Sequence, residues 1–496
     1  MKKRINYSFF EYKVLKARIV CFIIVLSILP ALSACNSVTY GSKETDSPAS
    51  PPVTENGASG YKARYTEDGR RIITIGTWYD KYYVSRHTSI YEDPSVVPSD
   101  GTPEGDLQVE IAQRHLEKVR EIEQKYNIVL EYVNMTYDGI QESIRTSIQE
   151  GSPDVDVYEA DLKFAIPAAT NGWAESLENL GLAGTDIFTS QNVMKYLRLM
   201  GDSHTYLFNP TLTGGTSAYV LSFNLDMIRE AGLEDPRDLY DRGEWTWDIW
   251  RGYLKRLTID RSGEGLQDIY GWSGYWTHLL QNLLFSNNAA IAAGEEETLS
   301  SEGVVEVLDF IYSIYNVDKT ARPWDTSNWD INNRLYAEGL SGFWVGADWL
   351  FNEQGGPDLP FEIGVVPWPR GPRGNDATNT LSTPSGSWYF IPNGVEDARL
   401  VYDVIFDWVN WYDGDMSLGA DTNWSQSMYM NSRNFDYASM MASRPGLDLW
   451  ESLGGEFGFG ITNLLAGRDT PEDIVEQYSA LYQQALDRFF GKAVYE

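Results

Sequence analysis

The sequence predicts an α/β fold, because strand patterns alternate with amphipathic helix patterns where the folded region begins. Three short apolar runs, at residues 71–77, 128–133 and 154–158, predict buried strands. Between them, residues 108–126 and 139–150 carry apolar side chains at helical spacing, with charged side chains on the opposite face. Strands that alternate with helices through short turns form a parallel sheet.

The same patterns continue through the rest of the chain. Further strands are predicted at residues 217–225, 342–345, 361–367 and 388–392. Further helices are predicted at residues 227–231, 245–257, 303–317, 330–338, 400–411 and 471–490. Thr246 is a suitable N-cap for the helix at 245–257, and we expect its neighbours Trp245 and Trp247 to be structural. No repeat of 20 to 50 residues is visible, and the length suggests two or three domains.

The N-terminus has the three parts of a secretory signal peptide. Basic residues come first, an apolar run follows from Ile19 to Leu29, and small residues precede Cys35. The apolar run is shorter than the roughly 20 residues of a membrane span. The order Leu32-Ser33-Ala34-Cys35 resembles the bacterial lipobox, which implies that residues 1–34 are removed and that Cys35 is acylated. An ordinary signal peptide cut near Ala34 is the alternative.

The region after Cys35 has the composition of a tether. Residues 35–60 are rich in Ser, Thr, Pro, Gly and Asn and lack apolar periodicity. The other cysteine, Cys21, lies in the segment that is expected to be removed, so the mature chain has no internal disulfide. Residues 61–496 are enough to form a stable core without one.

Charge and aromatic content restrict the partners. The formal net charge of -32 argues against nucleic acid and against adhesion of the folded region to anionic lipid. The 17 tryptophans and 31 tyrosines fit large cores, and they also fit a cleft whose aromatic faces stack on sugars. We expect both uses.

Several motifs occur in an order that is specific as a set, although each is weak alone. They are Gly151-Ser152-Pro153-Asp154-Val155, Leu221-Ser222-Phe223-Asn224, Gly243-Glu244-Trp245-Thr246-Trp247-Asp248, Tyr336-Ala337-Glu338-Gly339, Ala347-Asp348-Trp349, Gly364-Val365-Val366-Pro367-Trp368-Pro369 and Ile391-Pro392-Asn393-Gly394. With them the chain resembles the extracellular solute-binding proteins of family 1, relatives of maltose-binding protein that serve ABC importers. The resemblance covers residues 71–491.

This resemblance implies a two-lobed, type II periplasmic-binding-protein fold, in which each lobe is a sheet flanked by helices and the ligand cleft lies between the lobes. Residues 61–216 and 370–413 would form the first lobe, and residues 217–369 and 414–496 the second. The implied function is capture of a carbohydrate, an oligosaccharide above all, and its delivery to the permease subunits of an ABC transporter by lobe closure. We expect a monomer without a cofactor, held at the membrane through its lipid anchor on the extracellular face of a Gram-positive type of cell.

Candidate ligand contacts follow the ends of the predicted strands, because open α/β sheets bind ligands beyond the carboxyl ends of their strands. In the first lobe these candidates are Trp78, Tyr79, Glu159 and Asp161. In the second lobe the resemblance implies that Trp349 stacks on sugar and that Tyr275 and Trp276 belong to an aromatic loop. Trp388 and Trp424 are further candidates, although Trp388 also fits a core position, as Trp344 does.

Other functions have weaker support. There is no Gly-x-Ser-x-Gly elbow, no phosphate-binding loop and no EF-hand spacing, and the four histidines are scattered. We therefore expect no catalytic residues and no metal. A peptide or another polar solute remains an alternative ligand, and a surface receptor without a transporter remains an alternative role. A secreted carbohydrate-active enzyme also stays open, because a glycosidase needs only two well-placed carboxylates.

Overall fold

The computed structural model describes residues 61–77, 114, 117–183, 185, 204–209, 217–265, 267–325, 328, 330–376, 384–385, 388–411, 425–444, 446 and 455–489. The predicted signal peptide, the tether with Cys35, and the candidates Trp78, Tyr79 and Trp424 lie outside the described residues. Within those ranges, no helix is both long enough and apolar enough to span a membrane.

Strands and helices are numbered here in chain order. The strands are β1 Arg64–Tyr65, β2 Arg71–Thr77, β3 Ile128–Asn134, β4 Val157–Ala160, β5 Ser217–Ala218, β6 Val220–Asn224, β7 Tyr270–Trp272, β8 Ala292–Ala293, β9 Glu296–Glu297, β10 Ser341–Gly346, β11 Ile363–Val366, β12 Pro384–Ser385 and β13 Trp388–Phe390. The helices are α1 Tyr137–Ser147, α2 Leu162–Thr170, α3 Leu225–Glu230, α4 Pro236–Asp241, α5 Trp247–Leu257, α6 Trp276–Ser286, α7 Glu302–Tyr312, α8 Ile331–Ala337, α9 Asp348–Glu353, α10 Ala398–Val409, α11 Ser432–Ala442, α12 Gly455–Leu465 and α13 Pro471–Phe489. Residues 117–126 are also helical, and a π-helical turn, Ser313–Val317, continues α7.

The first sheet contains β1, β2, β3, β4 and β13. Strand β2 pairs in parallel with β3 along its whole length and with β4 near its end, which confirms the predicted parallel arrangement of these three strands. Strand β13 is antiparallel to β4, and β1 is antiparallel to β2, so the complete sheet is mixed.

The third predicted strand begins later than its sequence pattern indicates. It was expected at 154–158, whereas β4 is Val157–Ala160. The carboxylate of Asp156 accepts hydrogen bonds from the backbone N–H and the hydroxyl of Thr74, at 2.8 and 2.7 Å, and from Arg71 at 3.0 Å. These bonds hold Asp156 in a turn against β2. Glu159 consequently lies within the strand and not beyond it.

Two cores cover the two faces of the first sheet, as the two-residue periodicity of a strand requires. Val157 packs in a cluster with helix α10, whereas its neighbour Tyr158 packs in a second cluster with α1 and α2. The sheet is therefore a layer between helices, as predicted for an α/β fold.

The second sheet has the order β11-β6-β10-β7. Strand β6 is antiparallel to both β10 and β11, and β7 is parallel to β10. One large hydrophobic cluster joins this sheet to α5, α6 and α7 and to side chains of α11, α12 and α13. Trp245, Trp247 and Trp344 are buried in it, which confirms the structural role predicted for the first two and the core position predicted for the third.

A short ribbon lies where the chain passes between the sheets. Strands β5 and β12 pair antiparallel. Strand β5 leads directly into β6 of the second sheet, and β12 leads towards β13 of the first sheet. Residues 370 and 371, which follow β11, bond to the residues that precede α5 and end α6. The Arg370 N–H donates to the Trp245 carbonyl, and the Gly371 N–H donates to the Ser286 carbonyl. These bonds tie residues 370 and 371 to segments beside the second sheet.

Candidate ligand site

Two aromatic candidates follow neighbouring parallel strands of the second sheet. Strand β7 ends at Trp272 and is followed by Tyr275, and β10 ends at Gly346 and is followed by Trp349. Because β7 and β10 are parallel, their carboxyl ends meet at the same edge of the sheet. The structure thus brings Tyr275 and Trp349 to one edge, where an open α/β sheet binds its ligands.

Trp349 presents its ring outward from the first turn of α9. It is 37% exposed, and among the described residues no other tryptophan is exposed to this extent. Its backbone N–H donates to the Asp348 carboxylate at 2.8 Å, and the second oxygen of that carboxylate accepts from the Ser425 hydroxyl at 2.9 Å. Asp348 is buried, so the backbone is held in place while the indole ring remains accessible.

Tyr275 is oriented by a buried amide. The Asn333 side chain donates to the Tyr275 hydroxyl at 2.8 Å and accepts from the Trp344 indole N–H at 2.9 Å. An indole N–H can only donate, so the amide must turn its oxygen to Trp344 and its nitrogen to Tyr275. The Tyr275 hydroxyl is therefore an acceptor in this bond. Burial raises the pKa of Tyr275 to about 12, so the hydroxyl stays protonated at neutral pH.

Further aromatic rings extend from Tyr275. Its ring meets that of His278 at 5.9 Å and 79°, and that of Trp324 at 6.3 Å and 62°. His278 in turn stacks on Tyr219, with ring centroids 3.7 Å apart and an interplanar angle of 21°. We call Tyr219, His278, Tyr275 and Trp324 the aromatic row. Each is partly buried, so the row has both packed and accessible surface.

Carboxylates lie near the aromatic row. Glu353 is four residues after Trp349 in α9, which places both side chains on one helix face. Removal from water, together with repulsion from the Asp330 carboxylate, raises the pKa of Glu353. Asp330 itself lies 3.6 Å from the guanidinium of Arg334. Carboxylates beside aromatic rings can accept hydrogen bonds from ligand hydroxyl groups or from a cationic group.

The first sheet places one of its two described candidates, Asp161, at a comparable edge. Asp161 is half-buried, directly follows β4 and stands at the N-cap of α2, although its side chain makes no capping bond there. Glu159 is buried inside β4, opposite Tyr389 of β13. Asp161 is therefore the better placed of the two for contact with a ligand, since β2 and β4 are parallel and end at the same side.

The remaining described candidates are buried. Trp276 is 8% exposed and belongs to the core of the second sheet, one residue after Tyr275. Trp388 has no exposed surface and packs among Tyr158, Ala160 and Phe390. The structure thus favours the core position that the sequence left open for Trp388, because a side chain without exposed surface offers no face to a ligand.

Sequence reasoning missed three members of the aromatic row and the amide that orients it. Tyr219 lies inside a strand pattern and Asn333 inside a helix pattern, where each fits an ordinary packed position. His278 and Trp324 lie where the sequence predicted no element, and the structure places His278 in α6. One usable signal was the three-residue spacing of Tyr275 and His278, which puts both on the same side of a helical turn. Among the described residues, no group of three or more His, Cys, Asp or Glu side chains could hold a metal ion.

The chain matches a known protein family. Residues 107–415 match the sequence model of a family, the bacterial extracellular solute-binding proteins. No curated protein sequence matches the chain.

Solved structures share the fold at low sequence identity. The ABC substrate-binding protein Lmo0181 of Listeria monocytogenes, in complex with cycloalternan, has a TM-score of 0.58 and 15% identity over 85% of this chain and 99% of that one. The maltose/maltodextrin-binding domain MalE of Bdellovibrio bacteriovorus, bound to maltotriose, has a TM-score of 0.53 and 14% identity over 83% and 99%. UgpB of Mycobacterium tuberculosis, in complex with glycerophosphocholine, has a TM-score of 0.56 and 15% identity over 76% and 95%. These similarities confirm the predicted two-lobed α/β fold.

Proposed function

Because the chain belongs to the bacterial extracellular solute-binding protein family, we propose that it binds a carbohydrate outside the cell and delivers it to the permease of an ABC transporter. An oligosaccharide is the preferred ligand. Binding is reversible and involves closure of two lobes around the ligand, a motion typical of this architecture. No covalent step is part of this proposal.

The observation that carries the proposal is the exposed ring of Trp349 at the same sheet edge as Tyr275. Aromatic faces bind the apolar faces of sugar rings, and carboxylates bind their hydroxyl groups. An aromatic contact is worth roughly 0.5–1.5 kcal/mol beyond area burial. A few such contacts and several hydrogen bonds are sufficient for micromolar affinity, which corresponds to about 8 kcal/mol.

Two of the similar structures support a carbohydrate ligand. Lmo0181 is in complex with cycloalternan and MalE is bound to maltotriose, and both ligands are oligosaccharides. At about 15% identity, these proteins indicate a class of ligand and not a particular sugar.

The proposed site has two sides. Trp349, Tyr275 and the rest of the aromatic row form the side on the second lobe. Asp161 is the main described contact on the first lobe, and we propose that Trp78, Tyr79 and Trp424 complete the site. Glu159 and Trp276 support it from buried positions.

We further propose that the protein is a lipoprotein. Removal of residues 1–34 and acylation of Cys35 would place the folded region on the outer face of the cell membrane, at the end of a tether ending near residue 60. Two acyl chains hold a protein stably at a membrane, whereas one gives marginal binding. A thioether-linked diacylglycerol supplies two.

Titration calorimetry against a panel of oligosaccharides tests the ligand class. We expect micromolar or tighter binding to at least one glycan and no binding to peptides. Tight binding to peptides together with no response to any glycan would refute the carbohydrate proposal. Assay of the same glycans for hydrolysis tests the enzyme alternative, and turnover at enzyme-like rates would replace the binding-protein proposal.

A polar solute other than a sugar is the second candidate. Its support is the Glu353 carboxylate, which shares a helix face with Trp349 and contributes to the raised pKa of Tyr275, since an acidic group near aromatic rings also suits a cationic ligand. UgpB, which shares the fold, is in complex with glycerophosphocholine. Including that compound in the titration panel separates the two candidates.

A further inference from the structure

Tyr219 lies at the junction between the second sheet and the ribbon through which the chain crosses to the first. It is the single residue between β5, which pairs with β12 in the ribbon, and β6, which is a central strand of the second sheet. Its carbonyl accepts a hydrogen bond from the Trp368 indole N–H at 3.0 Å. Trp368 lies just beyond β11, where the chain starts towards its other crossing. A displacement of Tyr219 must therefore also move the ribbon through which the chain crosses between the two sheets.

His278 joins this junction to the proposed ligand side. Its ring stacks on Tyr219 at 3.7 Å and meets the edge of Tyr275 at 5.9 Å. Tyr275 is the N-cap of α6 and His278 lies in the first turn of that helix, so both side chains are attached to the start of one helix. The carbonyl of His278 accepts from the Asn282 side chain at 2.7 Å, which ties this turn to the next.

The surroundings of His278 suit a packing role. Its Nδ1 atom is shielded from water and has no hydrogen-bond partner within the described part of the chain. Burial lowers the pKa of His278 to about 3, so the imidazole is neutral at physiological pH. A neutral ring can remain stacked between two aromatic side chains without the cost of burying a charge.

We propose that His278 is a positioning residue that couples the ligand contact at Tyr275 to the lobe crossing at Tyr219. A ligand shifts a conformational equilibrium only through interactions that differ between the two states. The contacts among Tyr275, His278 and Tyr219 provide such an interaction, because a rotation at the crossing must either carry the stack with it or break it. This inference rests on the proposed function for the ligand, but its test needs no ligand.

The test measures the separation of the lobes in the ligand-free protein. Spin labels are attached at Glu150→Cys, an exposed position after α1, and at Glu230→Cys, an exposed position at the end of α3. The full chain contains two other cysteines, Cys21 and Cys35, and both are changed to serine. Pulsed electron paramagnetic resonance then gives the distribution of distances between the labels.

We expect His278→Leu and Tyr219→Leu each to shift or broaden this distribution, and the double variant to shift it no further than the larger single effect. His278→Phe keeps an aromatic ring in the stack and should restore the wild-type distribution. Tyr240→Leu is the control, since it removes an edge contact with Tyr437 at 5.7 Å that involves neither the row nor the ribbon. It should leave the distribution unchanged.

An unchanged distribution in both leucine variants would overturn the proposal, and so would failure of His278→Phe to restore it. If His278→Leu does not fold, Tyr219→Leu replaces it in the test, because it removes the other ring of the same stacked pair and should change the distance distribution in the same way. The carbohydrate proposal is judged separately by calorimetry. A protein that binds glycans while its leucine variants keep the wild-type distribution would retain its proposed function and lose this inference.

Discussion

Asn333 donates its amide hydrogen to the hydroxyl of Tyr275, and the direction of that bond is fixed from the core. The Asn333 oxygen is occupied by the indole N–H of Trp344, 2.9 Å away, which can only donate. The hydrogen-bond polarity of a residue at the sheet edge is thus set by a fully buried tryptophan.

Asn333→Asp should reverse this polarity. A carboxylate accepts from Trp344 and must also accept from Tyr275, so the Tyr275 hydroxyl would turn its proton inward. We expect glycan affinity to fall roughly twofold to tenfold, the effect of one hydrogen bond of about 0.5–1.5 kcal/mol. Calorimetry with the best glycan of the panel measures it. Asn352→Asp adds the same charge at an exposed position of α9 and should have a smaller effect. Equal effects of the two changes would mean that charge, and not polarity, governs binding.

The sequence predicted the layers of the fold better than the details of the site. Strand periodicity located the two sheets, and residues such as Ile73 and Val345 lie in their cores. Asp156 shows where this reasoning fails. Its alternating pattern indicates a strand, yet its carboxylate bonds to Thr74, which is 82 residues earlier in the chain.

The same limit applies to the candidate site. Trp349 could be found because it follows a predicted strand, and Tyr275 because its segment resembles an aromatic loop of the family. Both signals are local properties of the sequence. Tyr219, His278 and Asn333 come from segments that are distant in the chain, and each has an ordinary local pattern. Their arrangement depends on how α6 and α8 pack on the second sheet. A short window of sequence carries no information about that packing.

Trp349→Ala should weaken binding with little loss of stability. The ring is 37% exposed, so its removal leaves no enclosed cavity. Loss of a stacking contact should weaken glycan affinity by about threefold to tenfold. Trp344→Ala is the matched comparison, because that ring is fully buried and its loss should cost about 3–5 kcal/mol of folding free energy. Calorimetry and thermal melting of both variants distinguish the roles. A large drop in the melting temperature of Trp349→Ala would show that its ring is part of the core.

His278 should make the folding free energy depend on pH. Its folded-state pKa of about 3 lies below the ordinary value of 6.5, so between these values the unfolded chain binds a proton that the folded protein does not. The contribution of neutral His278 to the free energy of unfolding is fully present above about pH 6.5. It declines as the pH falls, by up to about 1.4 kcal/mol per pH unit.

Denaturant unfolding of the wild type and of His278→Phe at pH 7 and pH 5 checks this contribution. The other titrating groups are common to both proteins, so the difference between them isolates His278. The wild type should lose up to about 2 kcal/mol more than the variant between the two pH values. Thr277→Val, which changes a neighbour without a titrating group, should behave as the wild type does. Equal losses in the wild type and in His278→Phe would show that the imidazole titrates normally.

Cys35→Ser should release the protein into the growth medium with its ligand affinity unchanged. The change removes the proposed site of acylation and leaves residues 61–496 intact. Fractionation of cells followed by immunoblotting measures the distribution, and calorimetry measures the affinity. Cys21→Ser lies in the predicted signal peptide and should stay with the membrane fraction. Retention of Cys35→Ser in that fraction would show that something other than this cysteine anchors the protein.

Asn434 should be among the most sensitive polar positions for stability, because its side chain pairs with the edge strand β11. It accepts from the Val365 N–H at 2.9 Å and donates to the Ile363 carbonyl at 3.2 Å, as a neighbouring strand would. It also accepts from Arg237 and donates to the Tyr429 carbonyl, and it is fully buried.

Asn434→Ala would remove the partner of the Val365 N–H and of the Ile363 carbonyl, and each buried group left unpaired costs roughly 1–3 kcal/mol. Arg237 keeps its bonds to Asp235, and the Tyr429 carbonyl still accepts from the Asn431 N–H. We expect a loss of at least about 3 kcal/mol in denaturant unfolding. Asn431→Ala is the control on the same helix. It removes only the N-cap of α11, whose side chain accepts from the Asn434 N–H at 3.0 Å, and should cost about 1 kcal/mol. Similar losses in the two variants would mean that the pairing of Asn434 with β11 adds little to the stability of the fold.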